Sequence, residues 1–286
     1  MEKIAFISGE TIYYWSSIVL TLATLTAICF FWSLYLGKGG NGVAAFSVVP
    51  LAIVLSLLLG RLVHWYCRTS SYDSFTSAMK PFSPGGYALL GVFAGCALAA
   101  VIVRLVHFDR NLPQMLDCMA VAGCAGIAVG RLACFFNSAD RGQIIASTQS
   151  LPWGYPVTNA VSGATEYRLA TFILQAMAAL VLFLILLIFY LPKKRKDGDT
   201  ALIFLLFYGA SQIVLDSTRY DKLFFRSNGF VSVVQVLGAL GLLLVIVVFS
   251  LRMVKARGFR FWNVLVWLGI AACIGGAGFM EYYVQR

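Results

Sequence analysis

Eight runs of roughly twenty apolar residues constrain this chain more than any other feature. They cover residues 13–36, 43–64, 85–106, 114–136, 168–192, 200–217, 229–251 and 262–283. About 20 apolar residues is the length at which a helix crosses a bilayer core with its backbone hydrogen bonds closed internally. The other membrane solution, a β-barrel, needs short alternating strands, and the sequence shows no such alternation. Composition agrees. Hydrophobic residues make up 60%, charged residues 12%, and the mean hydropathy is +0.84. These values exclude a soluble enzyme, a disordered chain and a coiled coil. The first run lacks a small-residue cleavage site, so it reads as a retained span. Only 137–167 is a sizeable connection. The expected fold is an all-α polytopic transmembrane helical bundle, with residues 1–286 forming a single integral membrane domain.

Orientation follows from the placement of Lys and Arg. With the N-terminus outside, the inner loops 37–42, 107–113, 193–199 and 252–261 carry ten basic residues in thirty. The outer segments 1–12, 65–84, 137–167, 218–228 and 284–286 carry eight in seventy-seven. Both termini are therefore expected outside, in a multi-pass protein of a bacterial cytoplasmic membrane. Lys193, Lys194, Arg195 and Lys196 read as a stop signal beside anionic lipid, so the net charge of +10 points to no nucleic-acid partner. The seven cysteines stand singly, without metal-ligand spacing. They read as small core residues, and no metal or cofactor is expected.

Charge inside a bilayer is costly, so ionisable groups there are functional candidates. Arg61, Arg131, Arg168 and Arg219 lie in or beside four different runs, all toward the outer side. If those helices pack together, four guanidinium groups converge on one cavity, and arginine binds phosphate oxygens through paired hydrogen bonds. A phospholipid headgroup is the anion available at that depth. The alternative is that each arginine snorkels alone to the interface. Tyr208, Gln212, Asp216 and Arg219 fall at helical spacing along one face of the sixth run, with Asp216 and Arg219 placed to pair. The bland reading of this stripe is an interhelical hydrogen-bond ladder. Asp117 is expected to pair with Arg104 or Arg110, or to cap its own helix. His64 stands one turn from Arg61 and Arg68, beside Trp65 and Tyr66. It reads either as a base near neutral pH or as part of an interfacial aromatic belt. His107 reads as solvated. Gly91 with Gly95, and Gly126 with Gly130, are packing devices that allow close helix approach.

In order and depth these features resemble the bacterial prolipoprotein diacylglyceryl transferase family. The resemblance runs from about residue 13 to about 250. Gly60-Arg61-Leu62 ends the second run, and Gly85-Gly86 opens the third, as in the family's His-Gly-Gly segment. Asp117 lies early in the fourth. Gly130-Arg131-Leu132 with Phe135, Asn137 and Gly142 is similar to the family signature, and Pro152-Trp153 follows. Arg168 with Thr171 stands at an Arg-His-Pro run. Tyr208-Gly209, Asp216 and Arg219 fit a Tyr-Gly-x-x-Arg-x-x-x-Glu-x-x-Arg pattern, and Ser232 and Gln235 a Ser-x-x-Gln pair. The chain departs from the family at Pro84, Cys134, Ser138, Ala139, Gln175, Gln212 and Asp216.

The resemblance implies a seven-span core over 13–251, to which 262–283 adds a C-terminal helix. It implies transfer of diacylglyceryl from a phospholipid, phosphatidylglycerol in the family, to the cysteine thiol of a lipobox-containing preprolipoprotein. A thioether forms and glycerol phosphate leaves. Arg131 and Arg219 would hold and stabilise the phosphate, with Arg61, Arg168, Gln212, Asp216, Gly85 and Gly86 lining the headgroup site. Asn137 and Tyr208 would orient the ester, and His64 or Asp216 would act as base. The alternative is a non-catalytic lipid- or lipoprotein-binding protein on the same fold, to which Pro84, Gln175 and Gln212 point.

Overall fold

The computed structural model describes residues 4–9, 11–80, 86–106, 111–137, 142–145, 154–158, 163–192, 196–225, 228–258 and 261–284. Each of the eight apolar runs contains a helix. In chain order these are α1 (Trp15–Gly37), α2 (Gly42–Cys67), the short α3 (Phe75–Met79), α4 (Leu89–Leu105) and α5 (Leu112–Gly130). They continue with α6 (Thr171–Tyr190), α7 (Asp199–Ser217), α8 (Val233–Arg257) and α9 (Phe261–Val284). Among the described residues, six helices are long and apolar enough to cross a membrane: α1, α2, α5 with its extension to Phe135, α6, α7 and α8. Helix α4 is apolar but only 17 residues long. The protein is an all-α polytopic membrane bundle.

Side chains close the helix starts. Asn41 accepts from the Val43 amide at the head of α2, and Asn111 accepts from Gln114 at the head of α5. Ser232 and Gln235 form a reciprocal capping box on α8, which satisfies two amides that a helix start leaves without partners. Glycines set the close helix contacts. A Cβ on Gly91 would run into the backbone of Leu59 and Gly60, and one on Gly95 into Ser56, so α4 lies directly on α2. Gly126 gives α5 a tight contact with Ala23 and Ala27 of α1, and Gly130 packs on Ala23 at ordinary van der Waals distance. Gly209 and Gly238 face each other between α7 and α8. Helix α5 is the axis of the bundle, and Met115, Cys118, Val121, Cys124 and Ala125 are buried in its core. Val54, Leu57, Leu180, Leu184, Ile188 and Val214 are exposed, as a lipid-facing surface requires.

The end of the bundle where α1, α4, α6 and α8 begin carries structure that apolar periodicity does not reveal. Three antiparallel hairpins stand there: β1 (Ile4–Ser8) with β2 (Thr11–Tyr14), β3 (Gly154–Thr158) with β4 (Thr165–Leu169), and β5 (Phe224–Phe225) with β6 (Asn228–Ser232). They shorten two expected spans. Arg168 lies in β4, paired opposite Tyr155, so the fifth span starts at Thr171. The seventh starts at Val233, because the Ser232 cap ends a strand. Arg219 likewise lies beyond the end of α7.

The opposite end is tied by polar contacts. Among the described residues, which do not include Arg110, Asp117 neither pairs with Arg104 nor caps its own helix. Its two oxygens accept from the backbone amides of Gly198 and Ala201, both at 2.7 Å, so it caps the start of α7 from α5. Arg110 and the run Lys193–Arg195 lie outside the described residues, as do His107 and Pro152-Trp153. Lys38 donates to the carbonyl of Tyr190 at 2.7 Å, and Arg252 pairs with Asp199. Helix α9 is held to α8 by the Trp267 indole, which donates to Ser250 Oγ at 2.7 Å. Cys118, Cys124 and Cys134 are buried as expected, whereas Cys29 is exposed.

Candidate functional site

The core of the site is a short extended segment, Gly142–Ile145, laced between β4 and the end of α7. Gly142 donates to the carbonyl of Leu169 at 3.0 Å, Leu169 returns a bond to Gln143 at 3.0 Å, and Ile145 donates to Tyr167 at 2.8 Å. On the other side Gln143 donates to Thr218 at 3.0 Å. The segment thus stands opposite Arg219 at Gly142 and opposite Arg168 at Ile144. A Cβ on Gly142 would collide with the Leu169 carbonyl and with Thr171 Oγ1, so only glycine allows this approach. Thr171 and Thr218 bridge their hydroxyls at 3.1 Å, which joins the start of α6 to the end of α7.

Two arginines are therefore brought to one small region. Arg168 is 9% exposed. Its Nη2 pairs with Glu166 at 2.9 Å, and its guanidinium lies over the Tyr220 ring at 4.7 Å. Its Nε and Nη1 are buried without a hydrogen-bond partner. Arg219 donates from Nη1 to Asp216 Oδ1 and from Nε to Asp221 Oδ1, both at 3.3 Å. The expected pairing of Asp216 with Arg219 is thus present, and Asp216 is fully buried. Buried guanidinium N–H groups without acceptors cost free energy, and these two Arg168 donors are open to an acceptor.

Arg131 starts a 3-10 turn over Arg131–Phe135 that continues α5. Cys134 of this turn packs with Ala170 and Phe172, and Phe135 stands edge-on to Phe172 at 4.6 Å. The Arg131 turn thereby rests on the residues that follow Arg168. Asn137, two residues past the turn, is exposed. Tyr208 and Gln212 are buried along α7. Tyr208 packs against Phe93 and Phe204, two turns deeper than Asp216.

Arg61 is used differently from expectation. Its Nε donates to the carbonyl of Ala78 at 2.6 Å and its Nη1 to that of Gly86 at 3.3 Å. The rings of Tyr72 and Tyr87 lie beside it at 5.0 and 5.3 Å. It ties down the chain between α2 and α4. Gly85 lies outside the described residues, and Gly86 serves as an acceptor for Arg61. His64 turns inward, since its Nδ1 is 2.7 Å from the Tyr72 hydroxyl. Its neighbours Trp65 and Tyr66 differ from it: Trp65 packs on Phe75, and Tyr66 is exposed. The two arginine regions are joined by Arg68, whose Nη2 donates to the carbonyl of Asp221 at 3.0 Å.

Sequence reasoning does not single out Tyr72, Glu166, Tyr220 or Asp221, which hold the arginines and the histidine in place. Glu166 and Asp221 carry a weak signal, since each lies two residues from an arginine. Gln175 stands out in the sequence only as a departure from the family pattern. It is 1% exposed, and both polar atoms of its amide are without a partner. The groove between α2 and α4 lined by Pro50, Val54 and Val103 lies toward the opposite end and is apolar, so it adds no chemistry.

Comparison with known proteins gives the kinship. The model of a family described as prolipoprotein diacylglyceryl transferase matches residues 3–251, a range that ends before α9. A phosphatidylglycerol–prolipoprotein diacylglyceryl transferase of Streptococcus pyogenes serotype M3 is 22% identical over 266 residues, covering 92% of this chain and 99% of the relative. One of Streptococcus equi subsp. zooepidemicus strain H70 is 23% identical over 269 residues, with the same coverage.

Proposed function

The chain belongs to the prolipoprotein diacylglyceryl transferase family, and on that footing we propose that it transfers diacylglyceryl from phosphatidylglycerol to the cysteine thiol of a prolipoprotein. The observation that carries this reading is the buried Arg168 with two unfilled donor atoms, joined through Gly142–Ile145 to Arg219. A phosphate diester between them fills the empty donors. As the C–O bond breaks, charge builds on the departing phosphate, and fixed donors that meet it there favour the transition state over the ground state. Arg219, Arg168 and Arg131 are the phosphate ligands in this reading. Asp216 and Gln212 line the floor of the site, and Asn137 and Tyr208 orient the lipid ester. Asp216 faces Arg219 as its counter-ion, which leaves the His64 imidazole to accept the thiol proton. The arginine end is extracytoplasmic, in keeping with the basic loops at the other end, and both termini lie on the arginine side. Residues 13–251 are the transferase core, and α9 is an addition to it.

The test supplies purified protein with phosphatidylglycerol micelles and a lipobox peptide, and reads the mass of the peptide. The expected product carries one added diacylglyceryl, and Arg168→Gln and Arg219→Gln lose it. Absence of product, with a streptococcal relative active in the same mixture, overturns the proposal. One observation favours a second reading, lipid binding without turnover. Gln175 puts an amide that can neither take up nor release a proton in a buried position where the family pattern has a glutamate. Phosphatidylglycerol that copurifies without turnover would be its signature.

A further inference from the structure

Outside the arginine pair, the most organised polar group at this end is the imidazole of His64. Its Nδ1 is held by the Tyr72 hydroxyl at 2.7 Å, with the two rings nearly perpendicular at 86°. Tyr72 is itself fixed, because the Arg61 guanidinium lies over its ring. The other ring nitrogen meets Gly86, where a Cβ would stand 2.6 Å from Nε2. Any side chain at position 86 therefore displaces the ring. Among the described residues the ring's one hydrogen bond is at Nδ1, and His64 is only half-buried. One nitrogen is held by Tyr72, and the other carries no hydrogen bond among the described residues while its ring packs on Gly86. A general base needs this arrangement. When Nδ1–H donates to the Tyr72 oxygen, the Nε2 lone pair is free to accept a proton.

The helix turn that carries the imidazole is linked to Arg219 through Arg68 and Asp221. Arg68 follows it by one helical turn, its amide bonded to the His64 carbonyl at 2.9 Å. The Arg68 side chain reaches the Asp221 carbonyl, and the Asp221 carboxylate reaches Arg219. His64 and Arg68 thus stand one turn of α2 apart, a rise of about 5.4 Å along the helix. Among the described residues, the charged and titratable groups acting on the ring are Arg68 and Arg61 from α2 and Tyr72 from the following turn.

We propose that Nε2 of His64 is the proton acceptor of the transfer, that Tyr72 is the residue that positions it, and that Gly86 provides the room for it; this rests on the transferase reading above. The thiol proton passes to Nε2. The sulfur electron pair forms a C–S bond to the terminal glycerol carbon of the diacylglyceryl group, and the C–O bond to phosphate breaks with its electrons on oxygen. Glycerol phosphate leaves, and the imidazolium returns its proton to the released phosphate or to water.

The experiment measures steady-state transfer from phosphatidylglycerol to a lipobox peptide by the full chain and by His64→Gln, His64→Ala, Tyr72→Phe and Gly86→Ala. His64→Gln and His64→Ala are expected to lose roughly 10²–10⁴ in kcat, with little change in the KM for lipid. Their rates should recover as pH rises and the peptide thiol ionises unaided, a recovery that loss of structure cannot produce. His64→Gln keeps a hydrogen-bonding group for Tyr72 and guards against a folding defect in His64→Ala. Tyr72→Phe should lower kcat about tenfold, as a misaligned base does, and Gly86→Ala should lower it further. An active parent with His64→Gln at parental kcat overturns this inference and leaves the transferase reading standing. Equal impairment of the His64 variants at every pH, beside an active parent, overturns it in the same way. An inactive parent beside an active relative overturns both.

Discussion

Replacing Asp117 tests how the bundle sets the depth of α7, the helix that presents Gln212 and Asp216 and leads to Arg219. The carboxylate is 3% exposed and accepts two backbone amides at 2.7 Å, from Gly198 and Ala201. Those amides belong to the first turn of α7, where a helix has no internal acceptors and carries positive potential. A hydrogen bond to a charged group contributes about 1.5–3 kcal/mol. Asp117→Asn keeps one acceptor and turns an NH2 group toward the second amide, so it should cost about 1.5–3 kcal/mol. Asp117→Ala leaves both amides bare and should cost about 3–5 kcal/mol. At about 2–4 °C per kcal/mol for a chain of this size, the asparagine variant should unfold about 3–12 °C lower. The assay is thermal unfolding of the detergent-solubilised protein, followed by intrinsic fluorescence. Arg104→Gln is the control, because Arg104 is exposed and such substitutions stay within about 0.5 kcal/mol. An Asp117→Asn midpoint equal to the parent's would refute the capping argument, and an Arg104→Gln loss as large as that of Asp117→Asn would put an ion pair in its place.

Gly142→Ala should cost about 1–3 kcal/mol in stability by overpacking, and more than tenfold in transfer rate. The added methyl meets Leu169 and Thr171 and pushes apart the strand that aligns Arg168 with Arg219; unchanged kinetics would show that this alignment is irrelevant. Gln175→Met should raise the unfolding midpoint of the lipid-free protein, since it removes two buried polar atoms without partners at a gain of about 1–3 kcal/mol. A fall in midpoint would show that the amide is satisfied. Ser232→Ala removes one half of the capping box on α8 and should lower stability by about 1 kcal/mol, as measured by the same melt. Gly91→Val should prevent α4 from closing on α2, with loss of folded protein in detergent, because its side chain would occupy the Leu59 backbone.

Among the described residues each apolar run contains a helix, because a span is a local property: about 20 contiguous side chains and their own backbone satisfy it in lipid. The glycine pairs 91/95 and 126/130 were legible for the same reason, since spacing on one helix reveals a smooth face. Asp216 with Arg219 was legible because the two residues lie three apart. The hairpins were not. Their strands are short and pair by backbone bonds, which leaves little trace in side-chain periodicity. Polar partners far apart in the chain were not legible either. Asp117 finds the amides of Gly198 and Ala201 at separations of 81 and 84 residues, and Arg68 finds Asp221 across 153. Sequence could count the arginines but could not tell which of them the fold itself satisfies. Arg61 and Arg168 look alike as isolated basic residues at span ends. Only the packed bundle gives Arg61 two carbonyls to bind and leaves Nε and Nη1 of Arg168 buried and empty. The solvent decides where each helix lies, and a chain's own sequence records that preference. Which buried charge is satisfied within the fold and which keeps donor atoms without a partner depends on groups that meet only after the helices have packed.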